Sequence, residues 1–201
     1  MMPKEYLIFL LGYLMGSIPT ALLVSKPFGL DPREHGSKNL GATNVARLLG
    51  KKWGLITLLG DMGKGIIPML IAKRLFAGHP QASWLVAGTG FFAFLGHLFP
   101  LYLKFRGGKG VATATGVFLV LCPLAVLINL GVFILAVKMT GFVSVGSLLT
   151  SALMPVLIYF ICRNKAYLAI AGAMAVLIWI RHQANIRRLL RGEEKSWKKK
   201  D

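Results

Sequence analysis

The chain has 201 residues, 55% hydrophobic and only 15% charged, with a mean hydropathy of +0.64 and a formal net charge of +17. Soluble domains carry about 25% charged residues, and several runs here approach the roughly 20 apolar residues that cross a bilayer as a helix, so a soluble globular domain is excluded. Lipid-facing barrel strands alternate apolar and polar positions, which these runs do not, and the chain reads as an all-α, polytopic transmembrane helix bundle forming one domain over 1–201.

Tyr6 to Val24 is the first predicted span. It runs into Gly16-Ser17-Ile18-Pro19-Thr20 without the small-x-small site of a cleaved signal peptide. Gly16 and Ser17 predict close helix contact, and Pro19 a bend. Lys26 to Lys52 is polar, with six cations and two acids. Ser37 is a candidate N-cap for a short helix that follows it. On such a helix Asn39, Thr43 and Arg47 share one face at i, i+4 and i+8, with Asn44 beside them.

Trp53 to Ile71 is the second span. Asp61 and Lys64 stand at i, i+3, roughly 12 Å in, where they are expected to neutralise each other beside a site rather than within it. Ser83 to Leu103 is the third. His97 and Lys104 are seven residues apart, two turns on one predicted helix face, with His97 about 10 Å deeper. Lys104, Arg106 and Lys109 are then threaded between Gly107, Gly108 and Gly110. Small residues let backbone amides approach a ligand and the cations favour an anion, so this loop is expected to bind phosphate.

Val111 to Val137 is 27 residues broken by Cys122-Pro123. Phe142 to Ile161 and Tyr167 to Ile180 complete the spans, and RHQANIRRLLRGEEKSWKKKD closes the chain, with 192–201 a basic tail. His182, Asn185 and Arg188 recur every three residues on one helix face. Charge sets the span count. Read as one crossing, 111–137 makes six spans and exports Arg181, Arg187, Arg188, Arg191, Lys195 and Lys198 to Lys200, against the positive-inside rule. Read as a tight pair of short crossings turning near Pro123, it makes about seven, with the N-terminus outside and the C-terminus and both basic loops in the cytoplasm. Cys122 and Cys162 have the spacing of neither a zinc site nor a redox pair and are expected to be small buried hydrophobes.

That topology gathers 35–47, 104–115 and 181–191 on one membrane face. Together they offer Ser37, Asn39, Thr43, Asn44, Arg47, Lys104, Lys109, His182, Asn185 and Arg188, an inventory of donors and cations suited to phosphate. It is not a nucleotide loop, because Gly110 follows Lys109 where a P-loop requires Ser or Thr. The seven acids, Glu5, Asp31, Glu34, Asp61, Glu193, Glu194 and Asp201, are too scattered for a carboxylate metal site, so no metal and no cofactor is expected. The His-x4-Asp pairing of other acyltransferases is absent: positions 40, 84, 102 and 187 are Leu, Trp, Tyr and Arg. The expected partners include membrane lipids and exclude nucleic acid, whose motifs do not accompany these cations.

HGSKNLGATNVAR, GHLFPLYLKFRGGKGVATATG and RHQANIRRL resemble the three cytoplasmic motifs of the bacterial acyl-phosphate:glycerol-3-phosphate acyltransferase family, and GSIPTALLVSK and GDMGKGIIP are also similar to it. The resemblance implies an integral enzyme of the bacterial inner membrane. It implies transfer of a fatty acyl group from acyl phosphate to the sn-1 hydroxyl of glycerol 3-phosphate, giving lysophosphatidic acid without coenzyme A or acyl carrier protein. A soluble partner would be one source of the acyl phosphate. On this reading Lys104 and the Gly107, Gly108, Lys109, Gly110 backbone bind one phosphate, and Ser37, Thr43, Asn44 and Arg47 the other, or the reverse. The catalytic candidates are His97, Lys104, Ser37 and Asn185, and the base is either His97 or a substrate phosphate. An anion transporter and a lipid-recruiting scaffold are the competing classes. The first would want internal repeats and a site near the midplane, and the second only a charged tail.

Overall fold

The computed structural model describes residues 4–197, and every regular element among them is a helix. The predicted basic triplet Lys198 to Lys200 lies outside the described residues. The helices are α1 (Lys4–Gly16), α2 (Thr20–Ser25), α3 (Ala42–Leu49), α4 (Lys51–Leu75), α5 (Ala82–Leu98), α6 (Val111–Leu121), α7 (Pro123–Thr140), α8 (Val143–Ile161), α9 (Lys165–Arg181) and α10 (Gln183–Leu190). Short 3-10 turns occupy Lys26–Phe28 and Leu101–Leu103.

Among the described residues, five segments are long and apolar enough to cross a membrane: Glu5–Phe28, Lys51–Leu75, Ala82–Leu103, Pro123–Thr140 and Val143–Ile161. The pair α9 and α10, bent by 56°, makes a sixth if taken together. The bend in the first predicted span falls where Pro19 placed it, in the break between α1 and α2. The run from Val111 breaks at Cys122, beside the expected turn at Pro123, into two helices of unequal length. α6 has 11 residues, roughly 16 Å, while α7 continues for 18 to Thr140. Pro123 sits at the first turn of α7, where its missing N–H leaves no bond unmade, so it starts a full-length helix.

The chain divides into two compact units, Met1–Leu121 and Cys122–Asp201. In the first, α1 packs on α5 and α4, α4 on α3, α5 and α6, and α5 on α6. Gly16 forms the notch between α1 and α5: a Cβ there would be driven into the Ala93 backbone. Close contact through Gly16 is thus what the structure shows. Tyr13 adds a hydrogen bond from its hydroxyl to the Phe99 carbonyl, 2.7 Å.

In the second unit α8 folds back on α7 through Gly141, in the left-handed conformation, and α9 packs on α8. This antiparallel pairing brings Cys122, at the start of α7, onto Cys162, at the end of α8, and the two form a disulfide. The expectation of two unbonded apolar cysteines is corrected. Sequence spacing carried no sign of the pairing because it depends on where both helices end.

Candidate active site

The polar stretch after α2 is organised by Asn44. Its Oδ1 accepts from the Ser37 N–H at 2.8 Å, and its Nδ2 is within reach of the Pro32, Asn39 and His35 carbonyls at 2.9, 3.1 and 3.1 Å. With 1% of its surface exposed and both ends of its amide engaged by the loop, Asn44, expected as a phosphate ligand, holds the loop together. Ser37 is not an N-cap either. α3 begins at Ala42 with Gly41 in the cap position, so Asn39 lies in the loop and not on a face with Thr43 and Arg47. Thr43, half-buried, and Arg47, exposed, are on α3, and Ser37 is half-buried in the loop before it.

Between the bend of the first span and α4, α5 and the glycine loop lies a small, open pocket. Thr20, Leu40, Asp61, Lys64, His97 and Gly108 are among its lining residues. Lys64 Nζ is 3.0 Å from Asp61 Oδ1 and donates at 3.1 Å to the Ile18 carbonyl, which lies in the α1–α2 break and also accepts from the Thr20 N–H at 3.0 Å. The pair is an intramembrane ion pair, as its spacing predicts. It is also closer to the site than expected, since His97 Nδ1 lies 3.6 Å from the same Asp61 oxygen. His97 Nδ1 is also 3.2 Å from Thr113 Oγ1 of α6. Asp61 Oδ2 is buried without a hydrogen-bond partner among the described residues. Thr113 and Thr20 were not singled out from sequence, because an isolated threonine in an apolar helix gives no signal of its own.

His97 and Lys104 do not share a helix face. α5 stops at Leu98 because Pro100 cannot continue it, and Lys104 follows a 3-10 turn with a φ of 51°. Lys104 and Arg106 are exposed, and Lys109 is half-buried. The glycine loop then doubles back on the end of α5. The Gly107 N–H donates to the Leu98 carbonyl and the Gly108 N–H to the His97 carbonyl, each at 3.1 Å. These two amides, expected to face a phosphate, satisfy helix-end carbonyls. The glycines are needed for packing: a Cβ on Gly108 would be forced against His97 Nε2 and lie 2.9 Å from the Leu40 carbonyl. Gly110, with a φ of 86°, sits against the Phe94 ring and leads into α6. Leu40 thus joins two of the three predicted clusters, 35–47 and 104–115.

The third cluster belongs to the second unit. His182 is not on a face with the others; it is the break between α9 and α10, buried, with its Nδ1 2.8 Å from the Ile178 carbonyl. Asn185 and Arg188 share a face of α10, and both hold Glu194 of the returning tail. Asn185 Nδ2 donates to Oε1 at 2.6 Å, Arg188 Nε to Oε2 at 2.7 Å, and Ser144 Oγ to Oε1 at 2.8 Å. Glu194 was seen in sequence only as one of seven acids; its partner spacing of nine residues to Asn185 needs the tail to turn back at Gly192. Burial pushes the Glu194 carboxyl up, but the three hydrogen bonds and the Arg188 charge outweigh it and hold it below the usual range. A depressed carboxyl stabilises the fold above its ordinary pKa and loses that contribution as pH falls through the lowered value. Thermal unfolding of the wild type should accordingly weaken below about pH 5, and Glu194→Gln should lower the midpoint at pH 7 and flatten that acid limb. An unchanged midpoint at pH 7 would show that the tail contact does not contribute to stability.

The model of the glycerol-3-phosphate acyltransferase family matches residues 6–192. A glycerol-3-phosphate acyltransferase of Desulfotalea psychrophila is 51% identical over 98% of this chain and 100% of its own length, and one of Trichlorobacter lovleyi 47% over 93% and 94%. The crystal structure of PlsY (YgiH), an integral membrane glycerol 3-phosphate acyltransferase, is similar in both its glycerol 3-phosphate and lysophosphatidic acid forms. The first superposes with a TM-score of 0.91 at 35% identity, covering 98% of this chain and 96% of that one; the second with 0.89, covering 96% and 95%.

Proposed function

The chain belongs to the family of integral membrane glycerol-3-phosphate acyltransferases, and from that premise we propose that it moves a fatty acyl group from acyl phosphate to the sn-1 hydroxyl of glycerol 3-phosphate. The products are lysophosphatidic acid and inorganic phosphate, with no coenzyme A, carrier protein, metal or cofactor taking part. The observation that carries this reading is the meeting of the Leu40 and Gly108 loops at a pocket walled by apolar helices. It joins two stretches rich in cations to helices that would solvate an acyl chain. Both proposed substrates carry phosphate, which accounts for 24 Lys and Arg against 7 acids.

Ser37, Asn39, Thr43, Arg47, Lys104 and Lys109 are the phosphate-binding candidates in the first unit, and Gly110 keeps the turn that carries Lys109. His182, Asn185 and Arg188 remain candidates in the second, where Asn185 and Arg188 already bind an oxyanion as a carboxylate. The sn-1 oxygen attacks the acyl carbonyl, the C–O bond to phosphate breaks, and the hydroxyl proton ends on a phosphate oxygen. Acyl phosphate is a mixed anhydride with a good leaving group, so positioning and charge stabilisation supply most of the catalysis. The active site faces the cytoplasm of the bacterial inner membrane, with the N-terminus outside and the C-terminus inside, and a soluble enzyme can supply the acyl phosphate. Purified protein given palmitoyl phosphate and labelled glycerol 3-phosphate should form lysophosphatidic acid without added coenzyme A or carrier protein. Transport of the label into vesicles without acylation would overturn the enzyme reading in favour of a transporter.

His97 Nδ1 lies near Thr113 and Asp61, while its Nε2 lies where a side chain on Gly108 would fall. The proposed base is a substrate phosphate, with His97 as a positioning residue beside the loop. His97→Gln, which keeps a hydrogen-bonding end, is expected to lower kcat by about tenfold to a hundredfold. A loss of over about a thousandfold with binding intact would assign the base to His97.

A further inference from the structure

The two ends of the second unit differ in chemistry. At one end the Cys122–Cys162 disulfide ties the start of α7 to the end of α8, and Arg163, Asn164 and Lys165 lead into α9. At the other, Gly141 turns α7 into α8, α9 passes through His182 into α10, and the tail returns. There the Trp197 N–H donates to the Gly141 carbonyl at 2.7 Å and Glu194 is held by Ser144, Asn185 and Arg188. α7 has 18 residues and α8 has 19, which separates the ends by about 27 Å, close to the thickness of a bilayer's hydrocarbon core. The two ends therefore lie at opposite membrane faces.

Two independent rules assign the faces. The Gly141 end carries Lys138, Arg181, Arg187, Arg188, Arg191 and Lys195 against Glu193 and Glu194, while the disulfide end carries Arg163 and Lys165. Positive charge marks the cytoplasmic face. Disulfides persist in oxidising compartments and are kept reduced in the cytosol. Charge puts the tail end inside, redox chemistry puts the cysteine end outside, and the helix lengths require them to be opposite.

We infer that Cys122 and Cys162 are an extracytoplasmic oxidation site, whose disulfide staples the outer ends of α7 and α8. The inference rests on the membrane-spanning reading and not on the acyl donor. The oxidant is a disulfide-bearing thiol oxidase of the outer compartment. One cysteine thiolate attacks the oxidant's disulfide and expels one of its sulfurs as a thiolate. The second cysteine thiolate then attacks the mixed disulfide and releases the oxidant as a dithiol. Two electrons and two protons leave the pair, and the oxidant takes them up. Cys122 is 3% exposed once bonded, which shields the product from reductant.

The test labels the full chain in its membrane. Free thiols are blocked with excess N-ethylmaleimide in denaturant, the protein is then reduced, and maleimide-polyethylene glycol is added. Two mass additions are expected from untreated cells and none from cells synthesising the protein in dithiothreitol; none from untreated cells would overturn the inference. In a Cys122→Ser/Cys162→Ser background, Arg163→Cys should react with a membrane-impermeant maleimide in intact spheroplasts, and Lys195→Cys only in inverted vesicles. The reverse pattern would overturn the assignment of faces. The same double variant should still acylate but melt at least about 5 °C lower, and an unchanged midpoint would remove the staple. Outside labelling at position 163 with no disulfide would sink this inference alone, whereas failed acylation with both labels in place would sink only the proposed reaction.

Discussion

Gly108→Ala is expected to lower kcat/KM by about a hundredfold or more, with the protein still folded and extractable. The new methyl group has no space on either side. On one side is His97 Nε2, on a ring whose Nδ1 is held near Thr113 and Asp61; on the other is the Leu40 carbonyl at 2.9 Å. Backbone cannot swing aside as a flexible side chain does, so the loop must shift relative to either α5 or the Leu40 segment. A displacement near 1 Å in positioning machinery is enough for a loss of this size. Gly63→Ala is the control, since a Cβ there meets nothing within 4 Å. Steady-state assays of both variants decide the matter: equal activities would show that the loop does not depend on the contact with His97 and Leu40.

Asp61→Leu is expected to destabilise the protein by about 3–5 kcal/mol, a large part of the stability of an ordinary domain. Lys64, with 7% of its side chain exposed, would keep its bond to the Ile18 carbonyl but lose its counter-charge. An uncompensated buried ammonium is the expensive state, more so than a pair or no charge at all. The double variant Asp61→Leu/Lys64→Met should therefore recover most of the thermal midpoint while activity stays low, because His97 has still lost its neighbouring carboxylate. Midpoints from thermal unfolding in detergent separate the cases. A double variant no more stable than Asp61→Leu would mean that the carboxylate acts through His97 and Thr113 instead of through Lys64.

The sequence and the structure agree where a residue's role follows from local pattern. The bend at Pro19, the close contact at Gly16 and the ion pair at i, i+3 in α4 depend on neighbours within a turn or on one small side chain meeting a helix. They part where backbone hydrogen bonds compete for the same groups. Asn44 looked like a donor for a ligand, but four loop carbonyl and amide groups claim it. The Gly107 and Gly108 amides looked like an anion cradle, but the unsatisfied carbonyls ending α5 claim them. Residue type announces which bonds a group can make, not which partner reaches it first.

What the amino-acid sequence by itself determined is the membrane class, the helical architecture, two of the polar stretches that meet at the pocket, and the family, because hydropathy, periodicity and long motifs are properties of contiguous residues. Only the tertiary structure decided that His97 lies beside Asp61, Thr113 and the glycine loop, that Glu194 returns to Asn185 and Arg188, and that Cys122 finds Cys162. Each of these joins residues whose distance is set by where helices stop and how loops close. Helix ends in this chain are fixed by packing and carbonyl satisfaction, which no run of single residues displays.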